Sequence, residues 1–420
     1  MRGGAAAATR RPATPGPAPA PRRARPAPHP LLVAAGLAAG PGVVLGMARF
    51  AYGLLLPGMR ADLHWSFAQA GAINTANAFG YLAGAMVTPA VSARIGRRAA
   101  FVGGTVAVVV TLLATAPASG FAALMALRVL AGVAGALVFI TGMDLTAWLG
   151  RGHSSTRAAV LLGVYVAGGG LGIVLSGLAV PPILGLAGPS AGWRLGWLAL
   201  ALLSVAALAV AGWAARQVDA PAVARRGQSA GWPARRFVPS LASYLLFGLG
   251  YISYITFVVA LLVREGMGSL VVGAFWVVLG LASILCVPLW GRALGRLRGG
   301  AGPALVLAVV SVGAAMPLLG GGAPVALLSA LVFGGAFLAV VTAVTAVARE
   351  ALPAAQWGPA IAALTAAFAL GQCAGPVLTG LLSDLAGGVR SGLGLSAGLI
   401  GLAALIALAQ HGPDPARAPG

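Results

Sequence analysis

The chain contains no lysine, and only 7 acidic residues stand among its 420 positions against 27 arginines. Cysteine and histidine are nearly as scarce, at 2 and 4. Each scarcity removes a class of protein. Charged residues make up 8% of the chain, where a soluble domain carries about a quarter. Cys286 and Cys373 both lie inside apolar runs, so no disulfide framework is indicated. His29, His64, His153 and His411 are isolated, and none has metal-ligand spacing. No Ser-His-Asp or Cys-His arrangement is present, and the glycine-rich "AGGGLG" at 167–172 is not followed by Gly-Lys-Ser/Thr. The expectation is a protein that is not an enzyme and uses no cofactor or metal.

What the chain does have is hydrocarbon. Hydrophobic residues make up 59% of it, and the mean hydropathy is +0.95. Twelve apolar segments reach or approach the ~20 residues that a bilayer requires. They lie near 31–57, 67–92, 99–117, 121–149, 157–186 and 193–214, then 237–263, 270–291, 302–320, 323–348, 358–384 and 389–410. The expected fold is an all-α membrane protein with twelve transmembrane helices in two six-helix bundles. The first bundle takes residues 31–214 and the second 237–410. A polar linker at 215–236 joins them, an Arg/Pro/Ala-rich tail at 1–30 reads as disordered, and a short tail covers 411–420.

A net charge of +20 would ordinarily suggest nucleic acid. These arginines instead fall in short clusters between apolar runs, so the expected partners are a lipid bilayer and a small-molecule substrate. No nucleic acid partner is expected, and the protein should be a monomer. Positive residues favour the cytoplasmic side. If both termini are cytoplasmic, 21 arginines lie on that side and 4 (Arg60, Arg194, Arg264, Arg390) on the other. That asymmetry fixes the expected orientation, in a bacterial inner membrane. Arg49 and Arg128 remain, both inside the hydrocarbon.

The halves repeat. Gly46 and Gly71 recur as Gly248 and Gly273 at an offset of 202, and "PAVSARIGRR" (89–98) recurs as "PLWGRALGRL" (288–297) at 199. Gly168, Gly172 and Gly177 recur as Gly371, Gly375 and Gly380 at 203. Such glycine ladders suit close helix packing. A duplicated six-span unit implies two bundles with a site between them.

The loop "PAVSARIGRR" and the span-four "RVLAG" (128–132) are similar to signatures of the major facilitator superfamily of secondary transporters. The segments "GMARFAYGLLLPGM", "AGAINTANAFGYLAGA" and "GLGYISYITF" resemble its YbfB/YjiJ-type branch. The resemblance implies alternating access and an inner gate of ion pairs: Asp144 with Arg97 or Arg98, and Glu350 with Arg296. The loop departs from its pattern at Ala93, where an Asp is usual, and at Pro89, where a Gly is usual. Span five lacks the antiporter proline, which weakens a drug-export assignment.

Polar side chains within the spans cluster by face at 100° per residue. Asn74, Asn77 and Tyr81 share a face of span two, and Tyr251 and Tyr254 share one of span seven. Gln372 lies on a face of span eleven with Thr365 and Phe368. Arg49 and Tyr52 occupy the repeat positions of Tyr251 and Tyr254. These nine residues, Arg128 among them, are the candidate cavity lining, with interhelical hydrogen bonding as the alternative. Arg49 and Arg128 are expected at matching depth, with no carboxylate at that level. A secondary transporter of a small organic anion fits this pattern. A multidrug or amphipathic-compound exporter, and a non-transporting membrane sensor or scaffold, are the alternatives.

Overall fold

The computed structural model describes residues 28–219, 231–385 and 387–412. Most of the expected tail and linker, and the end of the chain from residue 413, lie outside the described residues. The chain forms helices α1 (Pro30–Asp62), α2 (Phe67–Ile95), α3 (Arg97–Thr115), α4 (Phe121–Leu149), α5 (Ser155–Gly188) and α6 (Ser190–Arg216). After the linker come α7 (Val238–Arg264), α8 (Ser269–Leu294), α9 (Ala301–Ala315), α10 (Gly322–Ala351), α11 (Ala354–Leu385) and α12 (Val389–Leu408). Eleven of these are long and apolar enough to cross a membrane. The exception is α2, which has the length at 29 residues but carries Gln69, Asn74, Thr75 and Asn77 in its first three turns.

Local chemistry sets the ends. Pro30 starts α1 at a position where its missing N–H costs nothing, and His29 Nδ1 accepts from the Leu31 N–H at 3.3 Å. Ser66 and Gln69 form a capping box on α2. Gly188, at φ 72°, separates α5 from α6. Pro57, expected to end the first span, sits inside α1, which continues to Asp62. Within α1, residues Gly42–Phe50 widen into a π-helix, a departure that the apolar pattern does not signal.

The helices alternate between two ends. The linker end holds the α2–α3, α4–α5, α8–α9 and α10–α11 turns, and the far end holds the α1–α2 turn and its counterparts. Corresponding contacts recur in the two halves. Glycines of α5 meet α1 (Gly168 and Gly172 against Ala38 and Gly42), and glycines of α11 meet α7 (Gly371 and Gly375 against Leu245 and Leu249). The halves meet where α2 packs on α11, α5 on α8, and the far part of α1 on α7. Here too the repeat holds: Gly71 faces the Pro376 carbonyl, and Gly273 faces that of Gly177. The first helix of each half, α1 and α7, is the most enclosed. Large apolar side chains such as Val110, Leu202 and Leu405 lie exposed along the helices, as lipid contact requires.

Candidate functional site

Every hydrogen bond that joins the halves among the described residues lies at mid-depth or toward the far end. Asp384 of α11 accepts from the Phe67 and Ala68 N–H groups of α2 at 2.9 and 2.8 Å. Asn74 Nδ2 donates to Thr256 Oγ1 at 2.6 Å, Thr75 Oγ1 to the Cys373 carbonyl at 2.7 Å, and Trp276 Nε1 to Ser176 Oγ at 3.1 Å. The deepest bond runs from Arg49 Nη2 in the π-helical segment to Gln372 Oε1.

Arg49, Tyr251 and Gln372 each stand 13 residues from the far end of their helix (Asp62, Arg264, Leu385), and Tyr81 stands 14 from Phe67. At 1.5 Å per residue this is about 20 Å, close to the middle of each helix. The Arg49 guanidinium lies 5.3 Å from the Tyr81 ring centroid and is 5% exposed, with its Nε buried and without a partner. Tyr251 begins a slab of near-parallel rings. Its centroid is 4.9 Å from Phe247, 5.4 Å from Phe368 and 6.1 Å from Phe337, and Tyr244 continues the slab 4.6 Å beyond Phe368. Phe368 was visible in the sequence on the face of Gln372. Phe247 and Phe337 were not, since lone aromatics in apolar helices carry no distinguishing pattern.

The other candidates fall in different places. Arg128 is only 7 residues from Phe121, so it roots nearer the far end than Arg49. Its guanidinium nevertheless reaches the level of Arg49, because it bonds to the carbonyl of the preceding residue, Ala48. Arg128 Nη1 donates to the Ala48 carbonyl at 2.6 Å, and the guanidinium lies 5.1 Å from the Tyr52 ring and 5.4 Å from Trp197. Asn77 donates to the Arg128 carbonyl at 3.1 Å. Tyr52 spends its hydroxyl on the Ala70 carbonyl at 2.7 Å. Tyr254 pairs with Ser329 at 2.6 Å and stacks on Phe333 at 4.1 Å. Arg128, Tyr52, Asn77 and Tyr254 thus bond within their own halves. Arg49, Asn74, Tyr81, Tyr251 and Gln372 meet at the seam between halves.

The ion pairs described at the linker end join a half to itself or to the start of the linker. Arg97 Nε is 3.5 Å from Asp144, whereas Arg98 turns to Asp219 and the Val218 carbonyl, both at 3.1 Å. Glu350 does not take Arg296. Its partners are Arg298 at 3.2 Å and the Gly299 N–H at 3.3 Å. The register differs because α3 starts directly at Arg97 after Gly96, while six residues (295–300) separate α8 from α9. In that longer turn Gly299, at φ 55°, brings residues 298–299 to the carboxylate.

Among solved structures, the nucleoside transporter NupG (D323A mutant) is similar at 14% identity and a TM-score of 0.68, covering 91% of this chain and 100% of its own. A D-xylose–proton symporter is similar at 15% and 0.68, covering 90% and 96%. A bacterial homolog of the human lysosomal transporter Spinster, inward-facing and unoccupied, gives 15% and 0.64, covering 91% and 95%. At these identities the likeness concerns the fold. No curated protein matches the sequence. Residues 42–408, nearly the whole helical chain, match the family described as Uncharacterised MFS-type transporter YbfB, so the protein is an integral membrane transporter of that family and not an enzyme.

Proposed function

We propose that this transporter carries a small organic anion by alternating access, with Arg49 as the group that holds the anion. One observation carries the reading. A guanidinium is buried at mid-depth on the seam between halves, where a charge costs at least ~2.5 kcal/mol, and its hydrogen-bond partner is a neutral amide from the opposite half. The six acidic residues among the described residues lie outside this level. Nη2 and the unpartnered Nε form the side edge of the guanidinium fork, which matches the two oxygens of a carboxylate. Gln372 fills half of that edge. An arriving carboxylate takes both positions and releases Gln372, which breaks the deepest bond between the halves.

In this reading the bundles at 31–214 and 237–410 are the units that rock, and the bonds between the halves at mid-depth and the far end support opening at the linker end. The arginine asymmetry supports a cytoplasmic linker end, with both termini on that side of a bacterial inner membrane. In a cysteine-less background, Leu186→Cys at the far end should react with an impermeant thiol reagent added outside intact cells, and Ser155→Cys only after lysis. Labelling of both from outside overturns the orientation.

The anchor is tested by measuring ligand-induced thermal stabilisation of purified wild type, Arg49→Gln and Arg49→Lys against a panel of organic anions. Folded abundance is recorded alongside. Loss of charge-assisted bonds should weaken binding at least about tenfold in the Gln variant at normal abundance, with Lys intermediate because it keeps the charge but not the fork. Unchanged affinity in the Gln variant overturns the assignment. A neutral amphipathic substrate, favoured by the aromatic slab, would give that result.

A further inference from the structure

We infer that the anion taken by this site is a planar aromatic carboxylate, with its carboxylate on the side edge of Arg49 and its ring between Tyr81 and Phe368. The inference rests on Arg49 as the anchor and adds what lies around it. At the level of Arg49 the first half offers the Tyr81 ring. The second offers the slab of Tyr251, Phe368, Phe247, Phe337 and Tyr244, whose neighbouring rings lie within 21° of parallel. Most of these rings are enclosed by one another. Tyr81 and Phe368 alone are half-buried rather than buried, and they belong to opposite halves.

A flat ligand suits parallel rings at stacking distance. A puckered one presents no flat face to them. The amide donors of Asn74 and Asn77 are committed, to Thr256 and to the Arg128 carbonyl. Gln372, released when a carboxylate binds Arg49, can meet a polar substituent on the ring. The site therefore recognises one charge and one flat apolar body.

The test uses the full-length purified protein and three small probes at neutral pH: benzoate, cyclohexanecarboxylate and benzamide. Cyclohexanecarboxylate keeps the carboxylate and a similar apolar area without a ring face. Benzamide keeps the ring without the charge. Apparent affinities come from calorimetric or thermal-shift titration. Benzoate should bind about three- to tenfold more tightly than cyclohexanecarboxylate, and benzamide should show no saturable binding. Phe368→Leu should abolish the preference for benzoate, and Phe368→Tyr, which keeps the ring, should retain it. Equal affinities for the two carboxylates, both lost in Arg49→Gln, overturn the aromatic assignment and leave the anchor standing. Carboxylate binding that is absent in the wild type, or undiminished in Arg49→Gln, overturns both.

Discussion

Replacing Asp384 by alanine should open the far end. Its two carboxylate oxygens accept from the Phe67 and Ala68 N–H groups, the first two donors of α2. The helix's own Ser66 caps the third, at Gln69. The N-terminus of α2 is thus capped jointly by its own half and the opposite one, and its partial positive charge favours an anion there. The Phe67 ring adds an edge contact to Phe257 of α7 at 6.1 Å and lies 3.8 Å from the Arg60 guanidinium. Opening requires that the contacts to Asp384 and Phe257 part. Asp384 is exposed, so solvent screens the interaction, and about 0.5–1 kcal/mol is a fair allowance. Losing it should raise the ratio of far-end-open to far-end-closed molecules roughly two- to fivefold. Spin labels on Ala61→Cys and Leu385→Cys, in a background without the native cysteines, report the far-end separation. The long-distance population should grow in Asp384→Ala and grow less in Asp384→Asn, whose amide oxygen still accepts one bond. A distribution identical to the parent's, in a normally folded protein, would show that Asp384 does not hold the seam.

The sequence made the helices legible wherever hydrocarbon burial alone decides them. The span expected at 121–149 is α4, residue for residue, because Gly120 and Gly150 bracket an unbroken apolar run. Legibility declines where backbone geometry decides instead. The first span, expected near 31–57, passes through Pro57 and continues to Asp62. The π-helical segment at Gly42–Phe50 has no periodic signature, although Arg128 bonds to a carbonyl within it. The repeat correctly paired the glycine positions, since both halves use them for the same contacts, but it mispaired Glu350 with Arg296 because the two signature turns differ in length. Residues that act across the seam were the hardest to read. Asp384, Thr256 and Ser176 look like ordinary polar residues until the opposite half supplies Phe67, Asn74 and Trp276. Arg49 stood out in the sequence because a lone charge in hydrocarbon is costly wherever it sits. That its partner is Gln372 depends on the approach of α11, which one strand of sequence cannot state.

The glycines should divide into two groups with different phenotypes. Gly46 and Gly172 press α1 against α5, and Gly371 and Gly375 press α11 against α7. A methyl group at any of the four would overlap backbone atoms of the partner helix. Backbone cannot yield as a side chain can, so the helices must separate and lose contact along their length. Both helices of each pair belong to one half, which has no alternative arrangement to adopt. Gly46→Ala and Gly172→Ala should therefore cost about 1–3 kcal/mol and appear as lowered folded abundance and melting temperature. Gly71 and Gly380 are equally crowded, against the Pro376 and Phe67 carbonyls, but their neighbours lie in the opposite half. There the strain can be relieved by parting the seam. Gly71→Ala and Gly380→Ala should keep near-normal abundance and lengthen the same far-end distance that Asp384→Ala lengthens. Because Gly380 and Asp384 meet the same first turn of α2, their combined variant should open little further than either alone, a non-additivity expected of residues sharing one contact. If Gly380→Ala unfolds the protein as readily as Gly172→Ala, or if the double variant is fully additive, the two seams are not mechanically distinct and the halves do not move as separate bodies.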